Sequence, residues 1–217
     1  MKKVYLIGSP EGINISNIFC IGRNYAAHNS ELGNKNEDQP LVFLKPTSAL
    51  NTQNIINLPQ ISNEIDYETE LVLLIGKKGK KLKKEEALAV ISGYGLGLDL
   101  TARDLQAEAK KKGLPWTIAK GFDNAASVSA FIPAAEIPDP LMLNFQMKLN
   151  GKIRQQACID EMLFELPYLI SYLSTQFTLE VGDLIFTGTP AGTGRINIGD
   201  LIELNLADKL EMVFTIN

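Results

Sequence analysis

The chain reads as an α+β protein. Short apolar runs recur along its whole length, at residues 4–7, 18–21, 41–44, 71–75, 143–149, 184–187, 201–206 and 210–216. Runs this short and rich in Leu, Val and Ile suit strands better than helices. Helical patterns are few and scattered among them. Turn signals separate the runs, the clearest being Asn150-Gly151, a two-residue hairpin turn between residues 143–149 and 152–156. Many strands with a few dispersed helices define the class.

The elements follow in order. Met1-Lys2-Lys3 leads into an apolar run too short for a signal-peptide core, followed by Ser9-Pro10-Glu11, so the start is predicted to be a first strand and the location cytoplasmic. A short helix is predicted after Asn24. Residues 84–91 form a second helical stretch. Thr101-Ala102-Arg103-Asp104 resembles a capping box, with Asp where Glu or Gln is usual, opening a helix that runs to Lys112 and stops at Gly113. Lys110, Lys111 and Lys112 complement its negative end. Pro167 suits the first turn of another helix, reaching about Thr175. Gly182-Asp183-Leu184-Ile185 and Gly199-Asp200-Leu201-Ile202 are a small repeat of turns feeding strands.

With 217 residues, the chain suits one domain spanning 1–217. A hydrophobic share of 45% and a charged share of 21% are those of an ordinary globular protein able to bury a core. The net charge of −4 disfavours nonspecific nucleic-acid binding. The basic run Lys77-Lys78-Gly79-Lys80-Lys81-Leu82-Lys83-Lys84 is either an anion patch or a solvated turn, and no aromatics interleave to stack bases. Cys20 and Cys158 make no disulfide framework. No stretch approaches the ~20 apolar residues of a membrane span.

Chemistry concentrates at strand ends. Asp66-Tyr67-Glu68-Thr69-Glu70 runs into Leu71-Val72-Leu73-Leu74-Ile75, and on a strand Glu68 and Glu70 share a face. Asp99 ends another apolar, Gly-rich run, residues 91–98. Three carboxylates there would repel unless a cation lies between them. Oxygen-only ligation suits Mg²⁺, Mn²⁺ or Ca²⁺ rather than zinc; the plainer reading is a solvated acidic edge. His28 is the only histidine and precedes Glu31 by three residues, neighbours on a helical turn. That spacing gives either a carboxylate-oriented base or a surface histidine in a polar segment, residues 29–38, that could act as a lid. Lys120 sits among apolar and small residues, partly buried beside charge or on a strand surface. Thr187-Gly188-Thr189-Pro190-Ala191-Gly192-Thr193-Gly194 follows a strand. Its glycines let backbone N–H groups approach an anion, or it is a plain turn; it lacks the Lys-Ser/Thr end of a P-loop.

Five segments together resemble the fumarylacetoacetate hydrolase family: Gly22-Arg23-Asn24-Tyr25 with His28 and Glu31; Asp66 to Glu70; Asp99 to Gln106; Gly113-Leu114-Pro115-Trp116-Thr117 with Lys120; and Thr187 to Gly192. They occur in family order over roughly residues 15–217. The resemblance implies layered mixed β-sheets around a metal site, with Glu68, Glu70 and Asp99 as ligands of Mg²⁺, or Mn²⁺. It implies His28 and Glu31 as a catalytic dyad on the lid, assisted by Lys120. Arg23, Tyr25, Arg103, Gln106, Gly188 and Thr189 match substrate-binding positions. The substrate would be a small α-keto acid and the assembly a homodimer. Residues 113–140 are most similar to the acylpyruvase and oxaloacetate decarboxylase branch, although Gly121 to Ala126 departs from its Ser/Cys-rich pattern. The expected reaction is cleavage of the C–C bond of an acylpyruvate. Alternatives are oxaloacetate decarboxylation or tautomerisation, isomerisation of a hydroxymuconate-type diene acid, and non-catalytic binding of an α-keto acid.

Overall fold

The computed structural model describes residues 2–217. The elements that build the site are, in chain order, β1 (Ile18–Gly22), α1 (Ala26–Glu31), β2 (Leu41–Lys45), β3 (Ile65–Tyr67), β4 (Thr69–Ile75), α2 (Lys84–Ala87), β5 (Ile91–Asp99), α3 (Arg103–Lys112) and α4 (Thr117–Lys120). After them come β6 (Asn144–Leu149), β7 (Lys152–Cys158), α5 (Leu166–Gln176), β8 (Leu184–Phe186), β9 (Leu201–Leu206) and β10 (Leu210–Ile216).

The central eight-stranded sheet runs β2, β1, β8, β4, β5, then Ala126–Val128 and Leu50–Asn51, with Ile132–Pro133 also paired to β5. It is mixed: β8 is parallel to β1 and antiparallel to β4. All seven residues of β4 and all but Ser92 of β5 are buried. A strand covered on both faces reads as a continuous apolar run rather than an alternating one, which is why 71–75 looks the way it does. A Cβ on Gly97 would stand 2.7 Å from the Phe186 ring, so this part of β5 accepts no side chain on that face.

A second, five-stranded sheet runs β7, β6, β9, β10 and Ile55–Ile56. Its strands alternate: Ile202, Leu204 and Leu206 are buried, while Leu201 is exposed. Asn150 and Gly151 both take positive φ, 52° and 74°, as the predicted hairpin turn requires. A small three-stranded sheet, Thr101–Ala102 with β3 and Gly194–Arg195, lies beside the site.

Most predicted elements form, with shifted ends. The first strand is Lys3–Tyr5 rather than 4–7, and the helical stretch over 84–91 divides into α2 and a 3₁₀ turn, Leu88–Val90. Helix α3 runs to Lys112 and Gly113 closes it at φ 65°, but the capping box does not form. Thr101 is paired with Asp66 in the small sheet, so Ala102 becomes the N-cap and offers no side-chain cap. The Asp104 carboxylate turns to Leu105 N and Ser62 Oγ instead. Among the described residues, no helix is long and apolar enough to cross a membrane.

Candidate active site

Three buried carboxylates meet where β3, β4 and β5 end. Glu68 links β3 to β4, Glu70 lies in β4 and Asp99 is the last residue of β5. Antiparallel pairing sets Glu70 opposite Gly97, and Asp99 N donates to Glu68 O at 2.8 Å. One oxygen from each carboxylate lies within 4.8 Å of the others.

Their charges are unevenly compensated. Lys120 Nζ donates at 2.8 Å to both Glu68 Oε2 and Asp99 Oδ2. Arg103 Nη2 stands 2.6 Å from Glu68 Oε1, and its Nε donates to Asp66 Oδ2 at 2.8 Å. Lys45 Nζ lies 2.7 Å from Asp99 Oδ1. Among the described residues, Glu70 receives only the backbone N–H of Gly188, at 2.7 Å to Oε2. Burial, then the charges of Asp99 and Glu68, push the Glu70 carboxyl well above its usual range. Burial also works against the Glu68 anion, but Lys120 and Arg103 outweigh it and hold that group low. Glu70 is therefore the carboxylate that lacks a cation. An all-oxygen, anionic donor set with one unanswered charge fits a hard divalent ion.

Beside the triad is a cavity of about 30 Å³, bordered by Glu68, Arg103, Gln106, Lys120, His28 and Arg23. Arg103 and Gln106, one helical turn apart on α3, are joined by Nη1 to Oε1 at 3.1 Å. Lys120 is buried, on the single turn α4, with its ammonium 5.1 Å from the Phe43 ring. It is thus neither on a strand nor at the surface. A wider groove of about 550 Å³ between Met142, Leu163 and Tyr168 contains neither the triad nor His28.

Helix α1 brings His28 to this cavity and buries it. Burial, and then the Arg103 charge acting against Glu68, lower its pKa, so the imidazole is neutral at pH 7. His28 Nδ1 stands 3.7 Å from Glu31 Oε2 and has no hydrogen-bond partner among the described residues. The pair is adjacent, as its spacing predicts, yet longer than a hydrogen bond. Glu31 ends its helix and instead accepts from Gly192 N, 3.1 Å from Oε2. Such apo contacts commonly tighten only when substrate binds.

The glycine-rich loop does present N–H groups to carboxylates, but these are the protein's own: Gly188 to Glu70 and Gly192 to Glu31. Gly192 has φ 95°, and a Cβ there would lie 2.0 Å from Arg154 O. Thr189 Oγ1 donates to Thr69 O at 2.9 Å and accepts from Gln155 Nε2 at 2.8 Å, a buried buttress under β4. Tyr25 is buried near Glu70 with its hydroxyl unpartnered, and burial raises its pKa far above the usual value. Tyr25, Gly188 and Thr189 lie outside the cavity lining, whereas Arg23, Arg103 and Gln106 border it.

Several participants escaped the sequence reading. Lys45 closes the apolar run 41–44 just before Pro46, the same strand-end signal that exposed the acids. Gln155 occupies a buried phase of β7, with Ala157 two residues on. Asn24 is fully buried, donating to Thr187 O at 2.8 Å and accepting from Phe164 N at 2.8 Å. A polar residue in an inward phase is the signal that marks Gln155; Asn24 lies between strand and helix, where no periodicity marks it.

The sequence profile described as "Fumarylacetoacetate (FAA) hydrolase C-terminal" matches residues 17–217. Over 201 residues the chain is 44% identical to "Oxaloacetate tautomerase FAHD1, mitochondrial" of Mus musculus, covering 92% of this chain and 91% of that protein. The fumarylpyruvate hydrolase of Pseudomonas aeruginosa, solved in complex with Mn²⁺ and pyruvate, superposes with a TM-score of 0.94 at 34% identity, over 99% of this chain and 95% of that one. The 2-hydroxyhepta-2,4-diene-1,7-dioate isomerase of Mycobacterium marinum gives 0.82 at 32% identity, over 94% and 75%.

Proposed function

The chain belongs to the fumarylacetoacetate hydrolase family, whose members are metal-dependent enzymes, and from that premise we propose that it is a Mg²⁺-dependent enzyme interconverting the enol and keto forms of oxaloacetate. The observation that carries this reading is a buried His28, its pKa lowered, bordering the same small cavity as Glu68 of the carboxylate triad, in which Glu70 is short of a cation. The 44% identity to an oxaloacetate tautomerase supports it.

Glu68, Glu70 and Asp99 are the residues that would hold Mg²⁺, with Mn²⁺ as a substitute, and the ion would withdraw electron density from a 2-oxo carbonyl. The neutral His28 imidazole can accept a proton from C3 of the keto acid and return it. The Lys120 ammonium has one N–H beyond those it gives Glu68 and Asp99, and that donor can stabilise charge developing on the enolate oxygen. Leu32 and Asn34, on the segment that follows α1, border the cavity.

Acylpyruvate hydrolysis is the second reading, favoured by the His28–Glu31 pair, because proton transfer to and from C3 does not need an activated water. In that reaction His28 takes a proton from water, the hydroxide adds to the distal carbonyl, and the C–C bond breaks to give a carboxylate and pyruvate enolate, which is protonated at C3. Loss of CO₂ from oxaloacetate would leave the same enolate. A buried base facing the triad argues against a purely binding role. A cytoplasmic location and a homodimer complete the proposal, to be checked by fractionation and by sedimentation.

The test is decay of enol absorbance from oxaloacetate and from acetylpyruvate, each with Mg²⁺ and with EDTA, while pyruvate is measured. Metal-dependent loss from oxaloacetate without pyruvate is expected. Pyruvate and acetate from acetylpyruvate would move the assignment to hydrolysis, and pyruvate with CO₂ from oxaloacetate to decarboxylation. Equal decay in EDTA would end the metal assignment.

A further inference from the structure

The walls of the cavity carry more positive charge than the triad uses. Four cations border it, Arg23, Arg103, Lys110 and Lys120, against the single carboxylate of Glu68. Arg103 is consumed by Asp66, Glu68 and Gln106, and Lys120 by Glu68 and Asp99. Lys110 has its ammonium 5.2 Å from the centre of the Trp116 ring and, among the described residues, no carboxylate at ion-pairing distance. Lys110 is an exposed residue whose stem is partly covered, and that partial burial, followed by the like charges of Arg103 and Arg23, lowers its pKa. Arg23 pairs with only one carboxylate, Glu37 of the lid segment, whose side chain is 37% exposed. Arg23 is also held at φ 61°, an uncommon conformation for a residue with a side chain, with Asn29 Nδ2 donating to its carbonyl at 3.0 Å.

We propose that Arg23 and Lys110 together bind the second carboxylate of a dicarboxylic 2-oxo acid, and that Glu37 occupies Arg23 until that carboxylate displaces it. The proposal rests on the oxo-acid reading above and narrows it to dianionic substrates. One carboxylate of such a substrate belongs beside the triad with its 2-oxo oxygen; the other needs a cation of its own, and these are the two that nothing buried claims. Exchange of Glu37 for substrate also ties binding to the lid. Asn29 Nδ2 joins the Arg23 carbonyl to Asn36 Oδ1, at 3.0 and 2.8 Å, so movement of Glu37 is transmitted to the segment that carries His28.

The experiment is calorimetric titration of the Mg²⁺-loaded protein with 3,3-difluorooxaloacetate, which cannot enolise, and with pyruvate, which lacks the second carboxylate. The native protein is expected to prefer the dicarboxylate by about tenfold or more, the worth of one charge-assisted contact. Arg23→Gln and Lys110→Gln should each shrink that ratio several-fold. Glu37→Gln, which removes the competitor, should enlarge it, a direction that damaged folding does not produce. A native ratio near one, or a ratio unmoved in both cation variants, overturns the inference. Turnover of oxaloacetate with a ratio near one would remove this inference alone. A large ratio without turnover would support the inference and remove the tautomerase reading instead.

Discussion

The floor of the site and its lid are built on different terms. The floor lies on β4 and β5, inner strands of the central sheet, and Glu70 and Asp99 are each 1% exposed. Lys120, Arg103 and Lys45 converge on Glu68 and Asp99 from segments distant in sequence. The lid is a six-residue helix and a polar segment, attached through Arg23 to Glu37, Gly192 N to Glu31 and Asn29 Nδ2 to the Arg23 carbonyl. Moving the floor would require opening the core, whereas moving the lid breaks a few part-exposed polar contacts. The difference assigns preorganisation to the floor and motion to the lid.

The largest test of that contrast is Lys120→Met. It leaves Glu68 and Asp99 short of their shared cation, and the metal-free protein should lose about 3–5 kcal/mol of stability. Scanning calorimetry should show that as a fall in Tm of roughly 6–20 °C, partly recovered by Mg²⁺. A shift under about 2 °C would mean that the floor does not depend on this ammonium. His28→Gln tests the other side: kcat/KM should fall by about 10²–10⁴ with little change in Tm. In the native enzyme the neutral imidazole is the active form and its pKa is lowered, so activity should decline only as pH falls below about 6.5. An acid limb unchanged in the variant would exclude His28 as the base.

Glu70→Gln sharpens the comparison by changing the floor without adding strain. The folded-state pKa of Glu70 is raised, so the metal-free fold keeps a proton that the unfolded chain gives up above about pH 4.3. Metal-free stability should therefore decrease as pH rises from there through the raised value, by at most about 1.4 kcal/mol per pH unit for one proton. The variant should be flatter in pH and more stable at pH 7 without metal, and inactive with it. If native and variant slopes coincide, Glu70 is not the unanswered carboxylate. The smallest effect is expected away from both regions. Lys78 pairs with Glu180 at 2.6 Å, yet both side chains are exposed, and Lys78→Ala should change stability by no more than about 0.5 kcal/mol.

Glu68, Glu70 and Asp99 were legible because strand periodicity is short and strict: two residues apart means one face, and an acid at the end of an apolar run is conspicuous. Lys45 carries a similar mark and was passed over because a cation after an apolar strand looks like an ordinary boundary. The turn at Asn150-Gly151 and the stop at Gly113 were legible because each depends on backbone conformations that few residues adopt. The capping box at Thr101 was misread for the opposite reason, since Asp66, far away in sequence, claimed that backbone first.

The amino-acid sequence by itself determined the α+β class, the apolar strand runs and the proximity of His28 to Glu31 through local spacing, and it singled out Glu68, Glu70 and Asp99 as one set through the family resemblance of five ordered segments. The tertiary structure alone decided which cation answers which carboxylate. It also decided that Gly188 and Gly192 serve the protein's own acids, that Thr189 braces β4 from beneath, and that Arg23 and Lys110 are left to face the cavity. Charge pairing acts across space and carries no sequence period: Lys45 meets Asp99, and Lys120 meets Glu68, only after the sheet has closed around them.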